Sequence, residues 1–68
     1  MEAEAEKVLK AFNANKDNLS GKEIDVITRY YGLSNKVRHT LAELGTIHGV
    51  TRERIRQVKS VALKKLGI

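Results

Sequence analysis

Apolar residues recur at helical spacing along most of the chain, and the polar stretches between them carry the residue types that start and stop helices. Toward the C-terminus, Ile55, Val58, Ala62 and Leu66 recur at three- and four-residue steps with Leu63 beside them, which puts them on one face of a helix. Glu53, Gln57, Ser60 and Lys64 form a stripe on the other face, flanked by Arg54 and Arg56, with Arg52 in the exposed first turn. This helix has an apolar back for a core and a polar front. Thr51, just before it, is the kind of residue that caps a helix N-terminus.

Upstream, Thr40-Leu41-Ala42-Glu43 has the form of a capping box, so a helix is expected to begin at Leu41. Leu44 and Ile47 are expected to supply its apolar contacts, Gly45 to let the second helix approach closely, and Gly49 to end it in a left-handed conformation. Two helices joined by a tight glycine turn make a helix-turn-helix, whose second member enters the major groove of DNA. Ser20 and Glu23 form another capping box, for a helix running through Tyr31 that Gly32 stops, and residues 34–39 read as a loop. At the N-terminus, Glu2, Glu4 and Glu6 sit where a helix dipole favours anions, and Val8, Leu9 and Phe12 form a short apolar stripe. That helix should end near Asn13 to Asn15, followed by a polar turn to Asn18. The chain has no proline, no convincing alternating strand pattern and no internal repeat. The expected fold is all-α: a small four-helix domain, with residues 1–18 as an N-terminal helix and polar linker and 19–68 as the helix-turn-helix unit.

The polar front of the last helix is chemically mixed, whereas a purely basic face would hold any phosphate backbone without choosing a sequence. Arginine can grip guanine O6 and N7, glutamine can pair with adenine, and glutamate can accept from the cytosine amino group. Glu53 is an acid placed among arginines, and it would be repelled by a polyanion unless it received such a hydrogen bond. The alternative is a solvated face on which Glu53 pairs with Arg56 or Gln57, pairs that stabilise a helix by only about 0.2–0.5 kcal/mol.

Charge is segregated along the chain. The net charge is +5, but residues 1–34 carry five Lys/Arg against six Asp/Glu, while residues 35–68 carry eight against two. A DNA-facing surface is therefore expected in the second half, where the turn motif lies.

The stretches Thr40-Leu41-Ala42-Glu43-Leu44-Gly45, Val50-Thr51-Arg52-Glu53-Arg54-Ile55-Arg56-Gln57-Val58 and Ala62-Leu63-Lys64-Lys65-Leu66 together resemble region four of the primary sigma factors of bacterial RNA polymerase. Leu19-Ser20-Gly21-Lys22-Glu23, Val26-Ile27 and Tyr31-Gly32-Leu33 are similar to the preceding subregion, so the resemblance runs from Leu19 to the end. It implies binding to the minus-35 promoter element as part of the polymerase holoenzyme. Arg52, Glu53, Arg56 and Gln57 would read or border bases, and Lys22, Thr40, Thr51 and Arg54 would hold phosphates. It also implies docking on the flap of the polymerase β subunit, for which Val26, Ile27, Tyr30 and Tyr31 are candidates, and exposure to an anti-sigma factor or an activator. The chain departs from the family pattern at Tyr30, where arginine is usual, at His48, where a bulky apolar residue is usual, and at Val61, a position often basic.

Two other readings stay open. Leu19-Ser20-Gly21-Lys22-Glu23 and Gly32-Leu33-Ser34-Asn35-Lys36 also resemble LuxR-like domains, although Val37-Arg38-His39 intervenes before the Thr40 cap. A protein-interaction module with secondary DNA contact is the other.

An enzyme is hard to build from this inventory. His39 and His48 read as ordinary imidazoles and not as a metal site, Ser20, Ser34 and Ser60 lack a nucleophile elbow, and there is no phosphate-binding glycine loop. Phe12 and the two tyrosines, at helical spacing, read as core and not as a stacking platform for single strands. No cofactor is implied. With no cysteine there is no disulfide framework. No apolar run approaches the ~20 residues that span a bilayer, and no signal-peptide core is present. The reading is a cytoplasmic protein, monomeric in isolation and of modest stability, since a chain this short buries only about 60% of its unfolded surface.

Overall fold

The computed structural model describes residues 2–68; Met1 and the side chains of Glu2 and Ala3 lie outside it, and with them the expected part of Glu2 at the helix start. Among the described residues there are four α-helices and no strand: α1 (Glu2–Asn15), α2 (Gly21–Tyr31), α3 (Leu41–His48) and α4 (Arg52–Lys65), with one 3-10 turn at Lys16–Asn18.

Each helix from α2 onward starts where its side chains dictate. Ser20 Oγ accepts from the Glu23 backbone N–H at 3.2 Å, and the Glu23 carboxylate accepts from the Ser20 N–H at 2.8 Å. Gly32 then takes a left-handed conformation (φ +65°) and closes α2. Such caps satisfy amides that the helix itself leaves without partners.

The core is organised around α2, which is apolar on two sides. Ile27 and Tyr31 pack with Val8 of α1, with Leu19, and with Ala62 and Leu66 at the end of α4. Val26 faces the other way and packs with Leu44 of α3 and with Ile55 and Val58 at the start of α4. The apolar back of α4 is thus shared between two clusters, and it is the same set of residues that the spacing singled out. Ile27, Leu44 and Ile55 are wholly buried, and burying a side chain of that size contributes about 1.5–3 kcal/mol. Glu4 reaches back from α1 to accept from the Tyr31 hydroxyl at 3.3 Å. Burial first, and the Glu4 carboxylate second, push the Tyr31 phenol up to about 12.

Three expectations are corrected here. Leu9 is exposed, and the inward stripe of α1 is instead Val8, Ala11 and Phe12. Ile47 is also exposed, because the inward position on the last turn of α3 belongs to His48. Val26, Ile27 and Tyr31 are buried in the two clusters and have no surface to give to a polymerase. Tyr30 alone of that group is half-buried, and Lys59 Nζ lies 4.3 Å from its ring centroid, a cation–π contact that ties α4 to α2.

Candidate nucleic-acid interface

The α3–turn–α4 unit is built from three local devices. Thr40 Oγ1 accepts from the Glu43 N–H at 3.1 Å while Glu43 accepts from the Thr40 N–H at 2.8 Å, so α3 starts at Leu41. The Thr40 N–H holds the Glu43 carboxyl below its ordinary value. At the turn, Gly49 is left-handed (φ +68°) and the Val50 N–H reaches back to the Gly45 carbonyl at 2.9 Å. A Cβ on Gly45 would stand 2.8 Å from the Val50 carbonyl oxygen. Gly45 therefore admits the backbone of the turn itself, and α4 follows from that approach. Thr51 Oγ1 then accepts from the Arg54 N–H at 3.1 Å and α4 begins at Arg52.

With Ile55 and Val58 held inward, Arg52, Glu53, Arg54, Arg56 and Gln57 are all exposed on the first two turns of α4. Glu53 and Arg56 are not independent. Arg56 Nε donates to both carboxylate oxygens at 2.9 Å, and Nη2 donates to Oε1 as well. Their side chains are 60% and 57% exposed, so this fork lies in solvent. The Arg56 hydrogen bonds hold the Glu53 carboxyl below its ordinary value, and Glu53 in turn raises Arg56.

A groove flanks α4 on each of two sides. One, of about 410 Å³, is lined by Arg52 together with Tyr30, Arg38, His39, Thr40 and the first residues of α3. The other, of about 200 Å³, is lined by Arg54, Gln57, Val58 and Val61 of α4 and by Ser20, Lys22 and Glu23 at the start of α2. The structure thus brings Thr40 to Arg52 and Lys22 to Arg54, while Thr51 sits between them as the cap of α4. Glu23 is 7% exposed. The Ser20 N–H foremost, opposed by burial and aided by Lys65 Nζ at 3.0 Å, holds its carboxyl below the ordinary value. Cations line both grooves, Arg38 and Arg52 in one and Lys22 and Arg54 in the other.

Arg38 and His39, which line the first groove, were not legible as groove residues from the sequence, since they occupy a loop without periodicity. The signal available was their place immediately before the Thr40 cap. Among the described residues, no group of three or more His, Asp or Glu could hold a metal ion, and no helix is long and apolar enough to cross a membrane.

A family model described as sigma-70, region 4 matches residues 17–66. The RNA polymerase sigma factor SigA of Nostoc sp. (strain PCC 7120) is 52% identical over 50 residues, 74% of this chain and 13% of the relative. The SigA proteins of Microcystis aeruginosa and Synechocystis sp. (strain PCC 6803) match at the same identity and length, over 12% of each. The chain therefore spans only about an eighth of the length of these curated relatives.

Proposed function

Because the chain belongs to the sigma-70 region 4 family, we propose that it reads the minus-35 element of bacterial promoters as one domain of a sigma factor, a binding module with no catalytic role. Residues 19–68 form the reading unit in this proposal. The observation that carries it is the exposed hand on α4: Arg52, Glu53, Arg56 and Gln57 stand on the first two turns of a helix whose back is locked into the core. Each has a hydrogen-bonding pattern matched to a base edge in the major groove. Lys22 and Arg54 on one side and Thr40 on the other, with Thr51 at the helix start, are the phosphate contacts that fix the register. The partners are the promoter duplex and the polymerase core, docking on the flap of the β subunit; an anti-sigma factor or an activator would act on the same assembly. The site of action is the bacterial cytoplasm, where the transcription machinery works.

The test is a competition series over single-base variants of a TTGACA-like hexamer, comparing the parent with Glu53→Ala. A reader glutamate loses discrimination at one G·C pair, worth about 1–3 kcal/mol, while binding to unrelated DNA changes little or improves. A uniform gain in affinity with unchanged base preferences would remove Glu53 from the readers. Binding that shows no preference for the hexamer would overturn promoter recognition itself.

A further inference from the structure

The larger groove holds a cation that the reading above does not use. Arg38 lies in the α2–α3 loop, in a position the backbone builds with some care. Gly32 (φ +65°) and Lys36 (φ +64°) both turn left-handed, the Lys36 N–H donates to the Gly32 carbonyl at 3.0 Å, and the His39 N–H donates to the Arg29 carbonyl at 2.9 Å. A Cβ on Gly32 would fall 3.0 Å from Arg38 Cγ, so the glycine also clears a path for the arginine stem across the end of α2. Arg38 Nε donates to the Tyr30 carbonyl at 3.4 Å. Its terminal nitrogens have no protein partner among the described residues.

Arg52 reaches the same groove from α4, and His39 completes a lining that contains no carboxylate. Neither arginine forms an ion pair among the described residues, in contrast to Arg29, Arg56 and Lys65, each of which does. Two arginines from separate elements thus line one concave surface; Glu53, beside Arg52 on α4, feels the charge of Arg52, but no carboxylate lines the groove itself. A positive groove without a carboxylate favours an anion, and the fork geometry of arginine suits the oxygens of a phosphodiester.

We propose that Arg38 is a DNA-backbone contact, its free guanidinium nitrogens holding a phosphate in the groove next to Arg52 and the bases read by α4. This deepens the promoter-binding reading and rests on it. A phosphate seat carries no sequence information, so Arg38 sets affinity and register and leaves base choice to α4.

The experiment is fluorescence-anisotropy titration of a duplex bearing the TTGACA-like hexamer, over a range of salt concentrations, with the parent, Arg38→Ala and Arg38→Lys. For Arg38→Ala, the slope of log K against log salt should become shallower by about 0.9, which is about an eightfold loss at 0.1 M salt that fades toward 1 M. Preferences among single-base variants should stay as in the parent, and Arg38→Lys should keep most of the slope. Replacing phosphates one at a time with uncharged methylphosphonates should reveal one position that weakens the parent but not Arg38→Ala. If the parent prefers the hexamer and Arg38→Ala keeps the full salt slope, Arg38 is overturned as a contact while promoter reading stands. A lowered melting temperature with an unchanged slope overturns it equally, making Arg38 a structural cap of α2. A parent with no hexamer preference removes the reading on which the proposal rests.

Discussion

His48 Nε2 lies 2.7 Å from Asp25 Oδ2, joining the last turn of α3 to the middle of α2. The His48 side chain is 17% exposed, and Asp25 is held from its other oxygen by Arg29 Nε at 2.9 Å. The first helix of the helix-turn-helix is thus fastened to the scaffold by a polar pin at the position where the family usually has a bulky apolar residue. The pin should be measurable as a coupling. In denaturant melts, Asp25→Ala and His48→Ala should each destabilise the protein, and the double variant should lose less than their sum, by about 0.5–1.5 kcal/mol. Strict additivity would mean that the two side chains act separately.

Gly45 gives a second prediction. A methyl group there meets the backbone of Val50 and Thr51, not the tip of a flexible side chain, so Gly45→Ala should destabilise by about 1–3 kcal/mol despite alanine's better helix propensity. Gly49→Ala is strained for a different reason, its left-handed φ, and meets no neighbour. A thermal melt in which Gly45→Ala equals or exceeds the parent would refute the close approach of the turn.

The orientation of α4 is tested through its back. Ile55→Ala opens a cavity at a wholly buried position and should cost about 2–5 kcal/mol, whereas Thr51→Ala removes only the cap and should cost about 0.5–2 kcal/mol. Finding Ile55→Ala as stable as the parent would mean that α4 turns its other face to the core.

Acid should weaken the fold. The carboxyls of Glu23 and Asp25 are both held below their ordinary values, Glu23 chiefly by the Ser20 N–H; for Asp25, burial is the largest single effect and pushes up, but Arg29 and His48 together outweigh it. A group depressed in the folded state contributes its full stability above the unfolded value and loses it as pH falls through the folded value. Melting temperatures should therefore hold near neutrality and drop below about pH 4.5, the ordinary glutamate value. Glu23→Gln, which can still accept from the Ser20 N–H, should fall less steeply over that range. Identical slopes in parent and variant would exclude Glu23 as a source of the acid sensitivity.

The helix starts and the core face of α4 were legible because they depend on neighbours in the chain. Ser20 with Glu23, and Thr40 with Glu43, form their boxes within a single turn, and Ile55, Val58, Ala62 and Leu66 repeat over enough turns to define one face. The errors arose where tertiary packing decides. Helix α3 has only eight residues, so local spacing could not choose between Ile47 and His48 for the inward position. Asp25, more than twenty residues away, makes that choice. Val26, Ile27 and Tyr31 looked available because a helix apolar on two sides gives no sign that both sides will be covered. The exposed polar face of α4 was visible from spacing and charge, but the place of Arg38 in the groove was not, since it depends on two left-handed residues, one of them a lysine.

If α4 reads bases as proposed, the fork between Glu53 and Arg56 makes reading an exchange. Before any duplex arrives, the acid and the base occupy one another, and the couple is electrically neutral in a groove-facing surface that is otherwise positive. A base pair that engages only Arg56 strands Glu53 among phosphates, and one that engages only Glu53 strands Arg56. A site that takes both trades one internal contact for two external ones. Under the promoter-binding reading, the fork opens at little cost, since an exposed pair at this spacing is worth only about 0.2–0.5 kcal/mol, and the domain can travel along DNA with the fork shut, held by its flanking cations and committed to no sequence.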